Sequence, residues 1–432
     1  MSTTAIIPEE AGPIQADSEQ LADVRVPIAW RDPIVTLVMA ALAVLIAISA
    51  KGISNISFAG ASGWFRGGVW TLNASLATWI MAIIAIAATI VVWVKATNRK
   101  TVEGWWVVIV GVAFVLGFLV WAVNDRPSAN LPVVALFAGG LMFATPLVFG
   151  ALSGVINERA GIINIAIEGQ LLFGAFLGVV VGSIFSNPWV GLIGAPIAGA
   201  AIGALLALFT IKYRADHIVV GVVLNMLALG ATSFMFSTLL KTNSNLNQPL
   251  KLPSLRIPFL ADIPVIGPVL FDQTVLVYMM YAAVIILQFM LFSSRWGLRL
   301  RAVGEKPQAA DTVGIEVNKI RWHAVLLGGA VAGLGGAVFT IGQGLTFSKN
   351  MAAGNGFIAL AAMILGRWNP KGSLMAALLF GFATNLGAIM QSVGSPVPAE
   401  YMLMIPYIVT ILAVAGFVGA VKPPAAEGKP YP

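Results

Sequence analysis

Apolar runs of about 18 to 23 residues recur along most of this chain, separated by short polar or basic stretches. At 1.5 Å per residue each run is long enough to cross a hydrocarbon core of about 30 Å as a helix. Crossings are predicted at 34–50, 74–94, 105–123, 132–152, 162–184, 189–211, 218–240, 274–293, 323–345, 356–366, 372–391 and 401–421. The run at 356–366 is too short to span as a regular helix, which predicts a broken or re-entrant segment sheltered by its neighbours. The pattern specifies an all-α, polytopic transmembrane bundle of about twelve crossings with discontinuous helices.

A second regularity lies in the order of these crossings. The runs from 132 to 240 and from 323 to 421 each comprise four crossings, flank the crossing at 274–293, and begin on opposite sides of the membrane. That relation is an inverted repeat, an architecture in which a midplane binding site forms at broken helices in matching positions. The matching segments are the glycine-bounded stretches 161–169 and 356–366.

Composition agrees with a lipid solvent: 59% of the 432 residues are hydrophobic and 10% charged, and the mean hydropathy is +0.91. The net charge of +7 gains meaning only from its placement. With the N-terminus inside, 18 of the 25 Lys and Arg residues fall in cytoplasmic segments and 7 outside, as the positive-inside rule requires. Both termini are therefore expected in the cytoplasm, with the chain in an inner membrane and no nucleic-acid partner. No cleaved signal peptide is predicted, so the first crossing serves as the targeting signal.

Four regions follow: an acidic, disordered tail at 1–29, three additional N-terminal transmembrane helices at 30–131, a core at 132–421, and a short cytoplasmic tail at 422–432. Within the core, 241–273 is proline-rich and suits an ordered extracytoplasmic cap. The link 294–322 holds six basic residues and is the expected protein-docking surface.

Intramembrane polar residues are the candidates for chemistry, because each must be satisfied by protein or by a water-filled path. Glu168 lies about 9 Å inside a crossing by helical rise. It either borders a substrate path or pairs with Arg159 or with backbone N–H groups at a helix break. Asn164, Gln170, Asn225 and Asn385 could converge with it on a polar ligand, although each alone is also a plain interhelical bridge. His217 and His323 read as solvated interfacial histidines, and Trp105, Trp106, Trp296, Trp322 and Trp368 as an aromatic belt. The chain contains no cysteine and two histidines. No metal site or cofactor is expected. It also lacks a phosphate-binding P-loop, a zinc-protease motif and a nucleophile elbow, so catalysis is not expected of it.

Four stretches carry a resemblance: NERAGIINIAIEGQ (157–170), HIVVGVVLN (217–225), GLRLRAVGE (297–305) and GFIALAAMILGRWNP (356–370). In order and spacing they resemble the membrane permeases of bacterial ATP-binding-cassette importers for branched-chain amino acids, simple sugars and nucleosides. The similarity covers 132–421 and is greatest to the nucleoside and simple-sugar branch.

The resemblance implies a small polar solute, most simply a nucleoside and otherwise a sugar, passing Asn164, Glu168, Gln170, Asn225, Phe357 and Asn385. It implies as partners cytoplasmic ATPase subunits, a homologous or identical second permease, an extracytoplasmic solute-binding protein and membrane lipid. In that family a coupling helix with an E-A-A-x-x-x-G pattern docks in the ATPase. Here QAADTVG (308–314) corresponds, with Gln308 in place of the glutamate, and the expected contacts are Arg299, Arg301, Gly304, Gln308, Ala309, Ala310 and Gly314. The alternative, an ion-gradient-driven secondary transporter, would need Glu168 as its titratable centre.

Overall fold

The computed structural model describes residues 30–58, 60, 68–126, 129–394, 398, 400, 401, 404, 407, 408 and 422–431. The expected tail at 1–29 and nearly all of the crossing at 401–421 lie outside these residues. Among those described, ten helices are long and apolar enough to cross a membrane.

The contacts divide the chain into two units, one formed by the residues up to Lys51 together with Ala74–Trp121, the other by the rest. In the first unit, helices α1 (Arg31–Ser49), α2 (Ala74–Thr97) and α3 (Gly104–Ala122) pack through small side chains. Ala40, Ala43, Ala47, Ala82, Ala85 and Ala88 are buried together. Helices in lipid gain little from hydrophobicity when they meet, so small residues that allow close approach hold them together. The Thr89 hydroxyl adds a 3.2 Å bond to the Thr36 carbonyl. Lys95 pairs with Glu103 and holds its carboxyl below the ordinary value.

The second unit begins with a small sheet, in which β1 (Ile53–Ser57) pairs antiparallel with β2 (Val69–Asn73) and parallel with β3 (Asn130–Pro132). It continues through α4 (Val133–Arg159), α5 (Ile167–Ile184), α6 (Pro188–Ala207) and α7 (His217–Met235). The proline-rich link is ordered around a hairpin of β4 (Ser254–Arg256) and β5 (Asp272–Thr274) with the short α8 (Ile266–Leu270) between them. Then follow α9 (Val275–Ser293), α10 (Arg295–Glu305), α11 (Pro307–Thr312), α12 (Val317–Ala337), α13 (Asn355–Leu365) and α14 (Pro370–Ser392).

Helix starts follow from the sequence. Asn187-Pro188 and Asn369-Pro370 each place an amide oxygen on the second helical N–H, at 2.9 and 3.0 Å, and a proline where no N–H is needed. The centre of the unit is α12 against α5 and α6, where a Cβ added at Gly199 would lie 2.7 Å from the Gly333 Cα. Backbones touch there, and no side chain fits between them.

Two boundaries differ from expectation. Helix α4 runs on to Arg159, and α5 begins at Ile167 because 160–166 is not helical. Helix α13 has 11 residues, as its short apolar run predicts.

Candidate functional site

The first break, 160–166, turns at Gly161, whose φ of +89° is a left-handed conformation that favours glycine. Apolar surroundings cannot satisfy its exposed backbone, so side chains from other helices do. The Ile163 N–H donates to His217 Nδ1 at 3.3 Å. Asn225 bridges the start of α5, donating to the Ile165 carbonyl at 2.8 Å and accepting from the Gly169 N–H at 2.8 Å. Arg321 Nε donates to the Ala160 carbonyl at 3.2 Å.

Beneath this break lies a fully buried amide cluster. Asn164 Nδ2 donates to Ser153 Oγ at 3.2 Å and to Gln170 Oε1 at 3.1 Å, and Ser153 donates to the same Gln170 oxygen at 3.3 Å. Asn164 Oδ1, Gln170 Nε2 and both amide atoms of Asn157 have no protein partner among the described residues. A buried polar atom left unpaired costs about 1–3 kcal/mol. These atoms are therefore where a polar guest or water would gain most.

The second break, 343–354, precedes α13. Its end is held by Glu168, whose carboxylate accepts from the Gly354 N–H at 2.7 Å and from the Gly356 N–H at 2.6 Å. A carboxylate at a helix N-terminus is stabilised by the helix dipole and by charge-assisted bonds. Of the two pairings expected for Glu168, Arg159 or backbone N–H groups, the structure shows the backbone N–H groups. Arg159 instead donates to the Trp368 carbonyl at 3.0 Å. Helices α5 and α13 meet start to start at Glu168, so the two glycine-bounded segments do come together. Phe357, next along α13, is 52% exposed.

Other expectations are corrected. Asn385 donates to the Ala135 and Leu136 carbonyls at 3.1 and 2.7 Å, where α14 crosses α4 at Gly139. Ser153, beside Asn164, is 14 residues further along α4, about 21 Å by helical rise, so Asn385 does not converge on the cluster. His217 is 1% exposed, not solvated, because its ring nitrogen is needed at the break. Trp368 belongs to no interfacial belt. It is buried, and its indole N–H donates to Glu158 at 2.5 Å.

On α10, α11 and the turn that follows, Arg299, Gln308, Ala309 and Gly314 are exposed, and Gly314, at φ +81°, ends the coupling segment as its glycine predicts. Ala310 is buried against Val303 and Val317 and does not face a partner. Gly304 is buried against the Arg159 backbone. Arg301 lies over the Phe292 ring at 5.2 Å. Sequence reasoning did not single out Ser153, Asn157, Glu158 or Arg321 as site residues. Asn157 and Glu158 sit inside the quoted motif 157–170, which was the available signal.

A family model described as branched-chain amino acid transport system / permease component matches residues 136–414. The chain belongs to this permease family. It is 42% identical over 300 residues to the guanosine ABC transporter permease protein NupQ of Bacillus subtilis, covering 67% of this chain and 94% of that protein. It is 40% identical over 306 residues to the nucleoside ABC transporter permease protein NupC of Lactococcus lactis, covering 68% and 96%. A putative glucose ABC transporter permease of Haloferax volcanii is 35% identical over 266 residues, covering 59% and 79%. Bacillus subtilis also has a second guanosine ABC transporter permease, NupP, 29% identical over 286 residues and covering 63% and 79%. No solved structure matches the chain. The permease is a multi-pass membrane protein whose helices α1 to α3 precede the matched region.

Proposed function

We propose that this permease is the membrane subunit of an ATP-binding-cassette importer that carries nucleosides into the cytoplasm. The observation that carries the reading is 42% and 40% identity, over almost the whole length of each relative, to permeases named for guanosine and nucleosides. The unpaired amide atoms of Asn157, Asn164 and Gln170 suit the ring nitrogens and hydroxyls of such a solute, and Phe357 suits its flat face.

ATP is hydrolysed on separate cytoplasmic subunits that dock on the exposed residues Arg299, Gln308, Ala309 and Gly314. A second permease completes the path, in line with the paired guanosine permeases of Bacillus subtilis, and a solute-binding protein delivers the substrate outside. The 18 to 7 split of basic residues supports a cytoplasmic-membrane location with both ends inside. An ion-gradient mechanism is disfavoured because the Glu168 carboxylate is committed to two backbone N–H groups.

The test is uptake of labelled guanosine, pentose and glucose into proteoliposomes holding the purified complex. ATP-dependent guanosine uptake in preference to both sugars is expected. Sugar uptake alone, or nucleoside uptake driven by a pH gradient without ATPase subunits, would overturn the reading.

A further inference from the structure

The residues from 422 to 431, expected as a short cytoplasmic tail, are laid into the structure. Pro424 and Ala426 are buried. The Ala426 N–H donates to the Gly304 carbonyl of α10 at 2.9 Å, and the Gly428 N–H donates to the Gly161 carbonyl in the first break at 3.0 Å. Arg321, 1% exposed on α12, joins the two segments, because its Nη1 donates to the Lys429 carbonyl at 3.1 Å while its Nε holds Ala160. The Tyr431 ring packs on the small core of Val303, Ala310 and Val317, and its hydroxyl donates to Asp311 of α11 at 2.8 Å.

Ordering ten residues costs conformational entropy, which these contacts must offset. They do so by holding two different elements. Gly428 is fixed to the break and Tyr431 to α11, and the three Cα–Cα steps between them, through Lys429 and Pro430, can extend by at most about 10 Å. There is little slack in such a link.

We infer that 422–431 is a positioning strap that ties the docking helix α11 to the 160–166 break, so that movement of α11 is carried to the backbone that orients Asn164. The inference rests on the ATP-driven reading above, which supplies the movement. Displacement of α11 by closing ATPases pulls Tyr431. The strap then draws on the Gly161 carbonyl and on Arg321, and the break shifts relative to Ser153 and Gln170. Gly304 packs directly on the Arg159 backbone and supplies a parallel route. Loss of the strap should therefore weaken coupling without abolishing docking.

The experiment uses the full complex in proteoliposomes, with guanosine as solute and the chain lacking 423–432. Guanosine carried per ATP hydrolysed should fall at least fivefold while the ATPase subunits still co-purify. The nucleotide-dependent change in amide exchange at 160–166, expected in the unaltered complex, should disappear. Tyr431→Phe, which keeps the ring and guards against a truncation that fails to insert, should lower the same ratio about threefold. Asp311→Ala should add nothing further to it.

A truncated complex with a ratio within twofold of the unaltered one and a persisting exchange change would overturn the strap. So would loss of ATPase co-purification, which would make the segment a docking element only. Absence of ATP-driven uptake by the unaltered complex would instead overturn the importer reading.

Discussion

The two breaks of the core solve one problem in opposite ways. At 160–166 the freed backbone is shared among His217, Asn225, Arg321 and the 422–431 segment, drawn from α7, α12 and the chain end. At 343–354 Asn247 holds Phe347 through two bonds of 2.7 and 3.1 Å, but the start of α13 depends on the single carboxylate of Glu168. The first closure is distributed over several groups; the second is concentrated in one charge. A distributed closure tolerates loss of a member, whereas a concentrated one does not.

Glu168→Ala therefore carries the largest expected effect. It leaves the Gly354 and Gly356 N–H groups unpaired at about 1–3 kcal/mol each. Since about 1.4 kcal/mol is a factor of ten, guanosine uptake should fall at least about 30-fold. Glu168→Gln keeps one acceptor and should lose about tenfold. Uptake by Glu168→Ala at the unaltered rate would show that α13 does not need this closure.

Asn225→Ala also removes two hydrogen bonds, but in the distributed closure, where the other holders of the break remain. Its expected loss is about tenfold, roughly the worth of one unpaired polar group. If Asn225→Ala proved as damaging as Glu168→Ala, the contrast between the breaks would collapse. Amide exchange at 160–166 and at 343–354 measures each opening separately.

What the sequence made legible, and what it concealed, follows from the same contrast. Spanning helices were readable because length and apolarity alone define them, and α13 was readable as short for the same reason. A break near 161–169 was legible from its bounding glycines and its place in the inverted repeat, but its extent was not, because Ile162, Ile163 and Ile165 are as apolar as a helix interior and hydropathy does not register backbone conformation. Glu168 stood out as a costly charge, but its partners lie 186 and 188 residues away, beyond any local pattern.

Arg321 was counted with a cytoplasmic loop because it precedes the apolar run; its burial comes from the segment that folds over it. That segment, rich in proline and without periodicity, reads as a tail until Gly161 and Gly304 supply its hydrogen-bond partners.

A sharper test separates the amide cluster from ordinary helix bridging. Asn164→Ala should weaken guanosine uptake about tenfold, by removing a hydrogen-bonding group from the proposed path, while the Ser153 to Gln170 bond keeps the local fold. Asn385→Ala, about 21 Å away along α4 by helical rise, should change uptake less than about threefold and leave the apparent Michaelis constant unaltered, its remaining cost falling on α4–α14 packing. Equal effects of the two on that constant would remove the cluster from the path.

The smallest expected effect concerns pH and the strap end of the first break. The carboxyl group of Glu427 lies beside that of Glu158, and burial raises the Glu427 pKa above its ordinary value. The charged and titratable groups of the surrounding elements are Glu158 on α4, His217 on α7, Glu305 on α10, Asp311 on α11, Arg321 on α12, and Lys429 and Tyr431 on the strap.

A raised pKa in the docked state means that the docked strap binds more protons than the free one. Its contribution is complete below the ordinary glutamate range and is lost as pH rises through the raised value. Amide protection of Gly428, corrected for the intrinsic exchange rate, should then fall about threefold between pH 5 and pH 8. Glu427→Gln removes the titrating proton while keeping a hydrogen-bonding side chain, and should flatten that profile. A Glu427→Gln profile as steep as that of the unaltered chain would assign the pH dependence to another of these groups and leave the strap insensitive to Glu427.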